Sequence, residues 1–183
     1  MGLDNGRRFV VVFVVAKQHH PDLPSCKLSG LATRGAFLSV HYDGACGPVN
    51  PGGVASYGFV VRDRDGKLIH SGYGYVGEGP KMSNNVAEYA AVIAALEYLL
   101  DNRLQNHEVK MYGDSNLTVE QMSGRWKIGD GLYREFAVRA SVLRSQFERI
   151  SFHWIPREQN EEADSLSQIC QTAPLSRCGV LRD

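Results

Sequence analysis

The sequence predicts an α/β domain built on a five-stranded mixed sheet, a three-strand antiparallel meander joined to two parallel strands, with helices packed on its faces. Three observations carry that expectation. Apolar segments of strand character fill residues 36–76 and are split by the turn signal Asp63-Arg64-Asp65-Gly66. A long run of strong helix formers follows, after which strand and helix signals alternate in the β-α manner that closes through right-handed crossovers. Length and composition agree: 183 residues, 43% apolar and 22% charged, describe one folded unit with flanking chain and exclude global disorder or a fibrous repeat.

The elements follow in order. Residues 36–42 read as a first strand that ends in Asp43-Gly44, and residues 54–62 and 67–76 form the next two strands on either side of the Asp-Gly turn. Ser83, Asn84 and Asn85 offer capping side chains to a helix over 86–100, which is rich in Ala, Glu and Leu. Residues 107–112 return to strand character, and Asp114 opens a short helix through Met122. A longer amphipathic helix is expected over 132–147, a fifth strand over 150–155 and a last helix over 160–169. Before the domain, Pro21, Pro24, Gly30 and Gly35 punctuate a stretch without sustained period. The expected organisation is therefore an extension over 1–35, poorly ordered or forming an edge strand, a folded domain over 36–170, and a tail over 171–183.

The formal net charge of zero is an average over unlike parts. Residues 1–35 carry +3, residues 36–170 carry −4 and residues 171–183 carry +1. An acidic central segment argues against a binder that relies on a broad basic surface. Cys26, Cys46, Cys170 and Cys178 form no Cys-x-x-Cys pair and have no His at zinc-ligand spacing. Reduced, unlinked thiols are expected, which suits a cytoplasmic protein. The apolar run at 9–16 follows Arg7-Arg8, but eight residues are too short to span a bilayer, and no small-x-small cleavage site follows it. Neither membrane attachment nor export is expected.

Four carboxylates stand out. In the long helix Val92, Ala95, Leu96 and Leu99 recur on one face, and Glu88 lies four residues before Val92 on that same inward side. A lone charge there is costly unless a cation meets it; a first-turn Glu favoured by the helix dipole is the alternative. Asp43 and Asp114 each close a strand, and if the two strands are parallel neighbours both side chains leave one sheet edge, where open α/β folds place ligands. A turn residue and a helix N-cap are the competing readings of these two. Asp164 sits four residues after Asn160 in the last helix, where a solvated position competes. If the four converge, they require cations, and hard oxygen ligands select Mg²⁺, with Mn²⁺ as the alternative, over zinc. Two such ions about 4 Å apart stabilise the attacking and leaving oxygens of a phosphodiester displacement.

The segments His41-Tyr42-Asp43-Gly44-Ala45-Cys46, Ser83-Asn84-Asn85-Val86-Ala87-Glu88-Tyr89, Gly113-Asp114-Ser115 and Trp154-Ile155-Pro156-Arg157 through Ala163-Asp164 resemble the four signature blocks of type 1 ribonuclease H, in family order and over roughly residues 36–170. The resemblance implies a ribonuclease H-like fold. It also implies an endonuclease that hydrolyses the RNA strand of an RNA/DNA hybrid, leaving 3′-hydroxyl and 5′-phosphate ends. By that carry-over Asp43, Glu88, Asp114 and Asp164 are the catalytic residues and hold two divalent metal ions. Gly44, Cys46, Asn50, Ser83, Asn84, Asn85 and Asn116 match substrate-binding positions, and amides suit recognition of the 2′-hydroxyl that tells RNA from DNA. The implied partner is the hybrid, with no membrane and no organic cofactor. A stand-alone monomer is expected, with a dimer through the extension as the alternative. A non-cleaving binding module and a retroelement nuclease domain are the rival readings.

The sequence also departs from the commonest family pattern. The loop before Asp164, residues 156–162, holds no His and resembles an archaeal and plant-like subgroup that lacks this loop. Arg157 and Glu158 are the candidates to take over a charge role there, with solvated loop residues as the competing reading, and Arg157 is also a substrate-binding candidate. No lysine- and Trp-rich protrusion is present, and Trp126 and Lys127, after Arg125, are the candidates for stacking on or tracking the DNA strand.

Overall fold

The structure, a computed structural model, describes residues 37–172, so the expectations for the N-terminal extension and for residues 173–183 lie outside the described residues. The elements are β1 (Phe37–Gly47), β2 (Gly52–Arg62), β3 (Leu68–Gly79), α1 (Asn84–Asp101), β4 (Glu108–Gly113), α2 (Asn116–Met122), α3 (Arg134–Arg144), β5 (Arg149–Trp154) and α4 (Glu161–Thr172), with a 3-10 turn at Arg157–Gln159 leading into α4. The five strands lie in the order β3-β2-β1-β4-β5. The β1–β2 and β2–β3 pairs are antiparallel, and the β1–β4 and β4–β5 pairs are parallel. This is the mixed sheet that the sequence predicts.

Local chemistry explains the meander. The Asp63 carboxylate accepts the N–H groups of Asp65 and Lys67 at 3.0 and 2.9 Å, and Gly66 supplies a φ of +78°. One face of the sheet carries α1, whose residues from Val86 to Leu96 are all buried, against Leu38, Val40 and Tyr42 of β1 and Val109 and Met111 of β4. Phe136, Ala137 and Ala140 of α3 extend that core. The opposite face of β1, β2 and β3 carries α4. A Cβ at Gly58 would lie 2.6 Å from both Leu166 Cβ and Ser167 N, so a bare backbone is what lets α4 sit this close.

Several boundaries differ from expectation. β1 does not stop at Tyr42; it continues through Asp43 to Gly47 because β2 pairs alongside it as far as Gly47↔Val54. Only the parallel ladder with β4 ends early, at His41↔Tyr112. Asp43 therefore lies inside a strand, beside the point where one neighbour departs. The Tyr42 carbonyl is taken up by the buried Asn160, whose Nδ2 donates to it at 3.0 Å. α3 is shorter than its apolar pattern suggests: Leu132 stays outside the helix and exposed, while residues 145–147 turn off its end and carry Phe147 into the core. The thiols are not all unlinked, because Cys46 is free but the buried Cys170 is disulfide-bonded. No helix among the described residues is long and apolar enough to cross a membrane.

Candidate active site

The site forms where β1 and β4 diverge. Asp43 comes from the middle of β1, Glu88 from the second turn of α1, and Asp114 from the residue after β4. One carboxylate oxygen from each lies within 4.8 Å of the others. Asp43 and Glu88 are 5% and 3% exposed, values that surface acids do not show. Gly44 makes this approach feasible: a Cβ there would fall 2.1 Å from the backbone C of Ala87 and N of Glu88. Its own backbone N–H donates to the Glu88 carboxylate. The β1 backbone thus presses directly on the first turns of α1 and delivers Glu88 to Asp43.

Asp164 approaches from α4 and lines the same cleft, of about 230 Å³, together with the other three carboxylates and Gly44, Ala45, Asn84, Ser115 and Arg157. It stands outside the tight group of three. Its Oδ1 accepts from Arg157 Nη2 at 2.5 Å and its Oδ2 from Gln168 Nε2 at 2.8 Å. Arg157 therefore brings a guanidinium into an otherwise acidic cleft.

The electrostatics follow from burial and crowding. Desolvation, reinforced by the nearby charges of Asp114 and Asp164, pushes Asp43 up to about 7, while the Ser167 hydroxyl and Arg157 oppose the rise. Glu88 is raised well above the usual carboxylate range, by burial first and then by Asp43 and Asp114, against the pull of Arg157 and the Gly44 N–H. Glu88 Oε2 is buried and has no hydrogen-bond partner. A buried acceptor left unpaired beside two more carboxylates is what a hard divalent cation satisfies, so the donor set fits Mg²⁺ or Mn²⁺.

The remaining sequence candidates divide by location. Asn84, the first residue of α1, lines the cleft, and its N–H donates to Asn50 Oδ1 at 3.0 Å, which ties the β1–β2 loop to the helix start. Ser83 is the N-cap of α1 and accepts from Val86 N at 3.3 Å; Asn85 stands half-buried beside Asn84. Asn116 is exposed at the start of α2, and Ser115 is the cap, accepting from Thr118 N at 3.4 Å, so Asp114 does not fill that role. Cys46 lies further along β1, its Sγ donating to the Val49 carbonyl at 3.5 Å, and does not line the cleft. Trp126 and Lys127 follow α2 with exposed side chains, also away from the cleft lining.

Sequence reasoning missed three supporting groups. Ser167 Oγ donates to Asp43 Oδ2 at 2.6 Å, Trp154 Nε1 donates to the Asp114 carbonyl at 2.9 Å, and Gln168 holds Asp164. Ser167 and Gln168 lie three and four residues after Asp164, one helical turn away, and that spacing was the available signal.

A divided sheet, helices on both faces and an acidic cleft at the fork define a nuclease-like α/β domain of the ribonuclease H class. The family described as reverse transcriptase-like matches residues 41–170. A ribonuclease HI of Halobacterium salinarum is 37% identical over 134 residues, 73% of this chain and 64% of that sequence. The solved ribonuclease H1 from the same archaeon superposes with a TM-score of 0.66 at 34% identity, covering 75% of this chain and 99% of the other. A bifunctional protein of Mycobacterium tuberculosis is 40% identical over 119 residues, 64% of this chain. Its solved N-terminal ribonuclease H domain, fused to maltose-binding protein, gives 37% identity and a TM-score of 0.64, with 72% and 91% of the two chains covered. The compost-derived LC11 ribonuclease H1, solved in complex with an RNA/DNA hybrid, is 34% identical with a TM-score of 0.63 over 70% of this chain and 92% of that one. The chain spans 31% of the mycobacterial relative's length. This chain belongs to the type 1 ribonuclease H family.

Proposed function

We propose that the protein is an endoribonuclease that hydrolyses the RNA strand of RNA/DNA hybrids, leaving 3′-hydroxyl and 5′-phosphate ends. The observation that carries this reading is the cluster of Asp43, Glu88 and Asp114, three carboxylates from three separate elements with ligand oxygens within 4.8 Å and two of the side chains buried. Nothing in protein stability rewards that crowding, and a divalent metal site explains it.

Asp43, Glu88 and Asp114, with Asp164 completing the set, would hold two divalent ions, Mg²⁺ or Mn²⁺. Bound there, such ions supply Lewis-acid stabilisation of the phosphodiester and lower the pKa of an attacking water. The chain itself supplies placement. Gly44 lets Glu88 reach the cleft, Trp154 fixes the Asp114 backbone, and Arg157 balances charge beside Asp164. Asn84 on the cleft wall, with Asn85 and Asn116 nearby, offers amides to the 2′-hydroxyl and minor groove. Trp126 and Lys127, exposed beyond α2, suit the DNA strand. With few exposed cations beside the cleft, hybrid binding depends only shallowly on salt. The hybrid-bound LC11 relative supports the substrate class.

The test is cleavage of labelled RNA/DNA hybrid, duplex RNA and duplex DNA with Mg²⁺, with Mn²⁺ and with chelator. Metal-dependent cutting of the hybrid's RNA strand, lost in Asp43→Asn, is expected. A hybrid that stays intact with every metal overturns the enzyme reading and leaves a binding module; comparable cutting of duplex RNA overturns the substrate assignment.

A further inference from the structure

We infer that Ser167 is a positioning residue for the site: its hydroxyl holds the Asp43 carboxylate in the orientation that receives metal. This inference rests on the metal-site reading above.

Ser167 is fully buried on the face of α4 that meets the sheet. A buried hydroxyl costs free energy unless it is partnered, and Ser is a weaker helix former than Ala, so packing alone does not account for it. Its Oγ lies 2.6 Å from Asp43 Oδ2 and 2.8 Å from the Asp164 carbonyl. A hydroxyl has one proton, and the shorter contact to a carboxylate is the stronger bond, so the proton goes to Asp43. The helix is seated to make that contact. Ser56, also fully buried, donates from Oγ to the Ser167 carbonyl at 2.5 Å, and Gly58 removes the side chain that would hold α4 away. One residue therefore links the carboxylate on β1 to the helix that carries Asp164. With Oδ2 tied down, Asp43 cannot rotate its carboxylate plane to escape Asp114 and Glu88. It is held in the crowded arrangement before any cation arrives, which is the role of groups that orient metal ligands from behind.

Three chains are compared in full length: natural, Ser167→Ala and Ser56→Ala. Mn²⁺ binding is titrated by calorimetry without substrate, and Mg²⁺ dependence of hybrid cleavage and thermal unfolding in chelator are measured in parallel. Ser167→Ala is expected to weaken Mn²⁺ binding about 10-fold or more. It should raise the Mg²⁺ needed for half-maximal cleavage by a similar factor and leave the rate at saturating Mg²⁺ within about two-fold. Ser56→Ala, which removes the α4 tether but leaves the Ser167 hydroxyl in place, is expected to lower the unfolding temperature and to weaken Mn²⁺ binding less than Ser167→Ala does. Unchanged Mn²⁺ affinity in Ser167→Ala, with the natural chain binding and cleaving, overturns the inference alone. Equal weakening in both variants overturns it in favour of helix seating. A natural chain that binds no Mn²⁺ overturns both the inference and the metal-site reading.

Discussion

Replacing Asp43 by Asn tests the electrostatics of the site directly. In the metal-free protein the Asp43 carboxyl is raised from 3.8 to about 7, chiefly by burial and further by Asp114 and Asp164, with Ser167 and Arg157 opposing. Below about pH 4 the carboxyl is protonated in both folded and unfolded chains and contributes no difference. Between 4 and 7 the folded state keeps a proton that the unfolded state has lost, so the fold weakens as pH rises through that window; above 7 the penalty is complete. At about 1.4 kcal/mol per pH unit the full penalty is about 4 kcal/mol. Asp43→Asn removes it, and the introduced amide oxygen still accepts from Ser167. Urea denaturation in chelator at intervals from pH 4 to 8 is the assay. The variant should match the natural chain near pH 4 and exceed it by about 4 kcal/mol at pH 8, or roughly 10 °C in Tm. Added Mg²⁺ should then stabilise the natural chain and not the variant. A stability difference that is flat with pH, or that favours the natural chain at pH 8 in chelator, refutes the assignment of Asp43 to a buried, repulsive cluster.

Two further substitutions probe the scaffold. Gly44→Ala places a Cβ 2.1 Å from the backbone of Ala87 and Glu88, so α1 must retreat; a stability loss of about 3 kcal/mol by denaturant titration is expected. Displacement of Glu88 should also lower hybrid cleavage about 100-fold. Trp154→Phe keeps a ring but removes the indole N–H that donates to the Asp114 carbonyl at 2.9 Å, and should cost about 1 kcal/mol, read as a Tm lowered by a few degrees; an unchanged Tm would show that water replaces the bond.

The parts of this molecule that were legible in the sequence are those governed by local pattern. Glu88 announced itself because helical spacing put it on an inward face with Val92 and Leu96, and the structure buries all three. The Asp63 to Gly66 turn was legible because its side-chain chemistry is complete within a few residues. What escaped depends on partners distant in the chain. β1 runs past Asp43 because β2 supplies a ladder, which no local signal at Gly44 reveals. Ser115 rather than Asp114 caps α2, and the Asp114 carbonyl is held instead by the Trp154 indole, forty residues on. Likewise, Arg157 read as a loop residue until the 3-10 turn at its position brought it onto Asp164. The role of Ser167 is not legible locally, because the carboxylate it bonds is 124 residues away.

The fork in the sheet has a consequence for how this scaffold tolerates change. β1 leaves β4 after His41 while remaining zipped to β2, so the gap between Asp43 and Asp114 is set by backbone ladders rather than by the loops around the mouth. Changes in the loops that border the mouth can alter what reaches the opening without resetting the spacing of these two carboxylates. The gauge of the cleft belongs to the sheet, and its selectivity is free to drift with the chain that borders it.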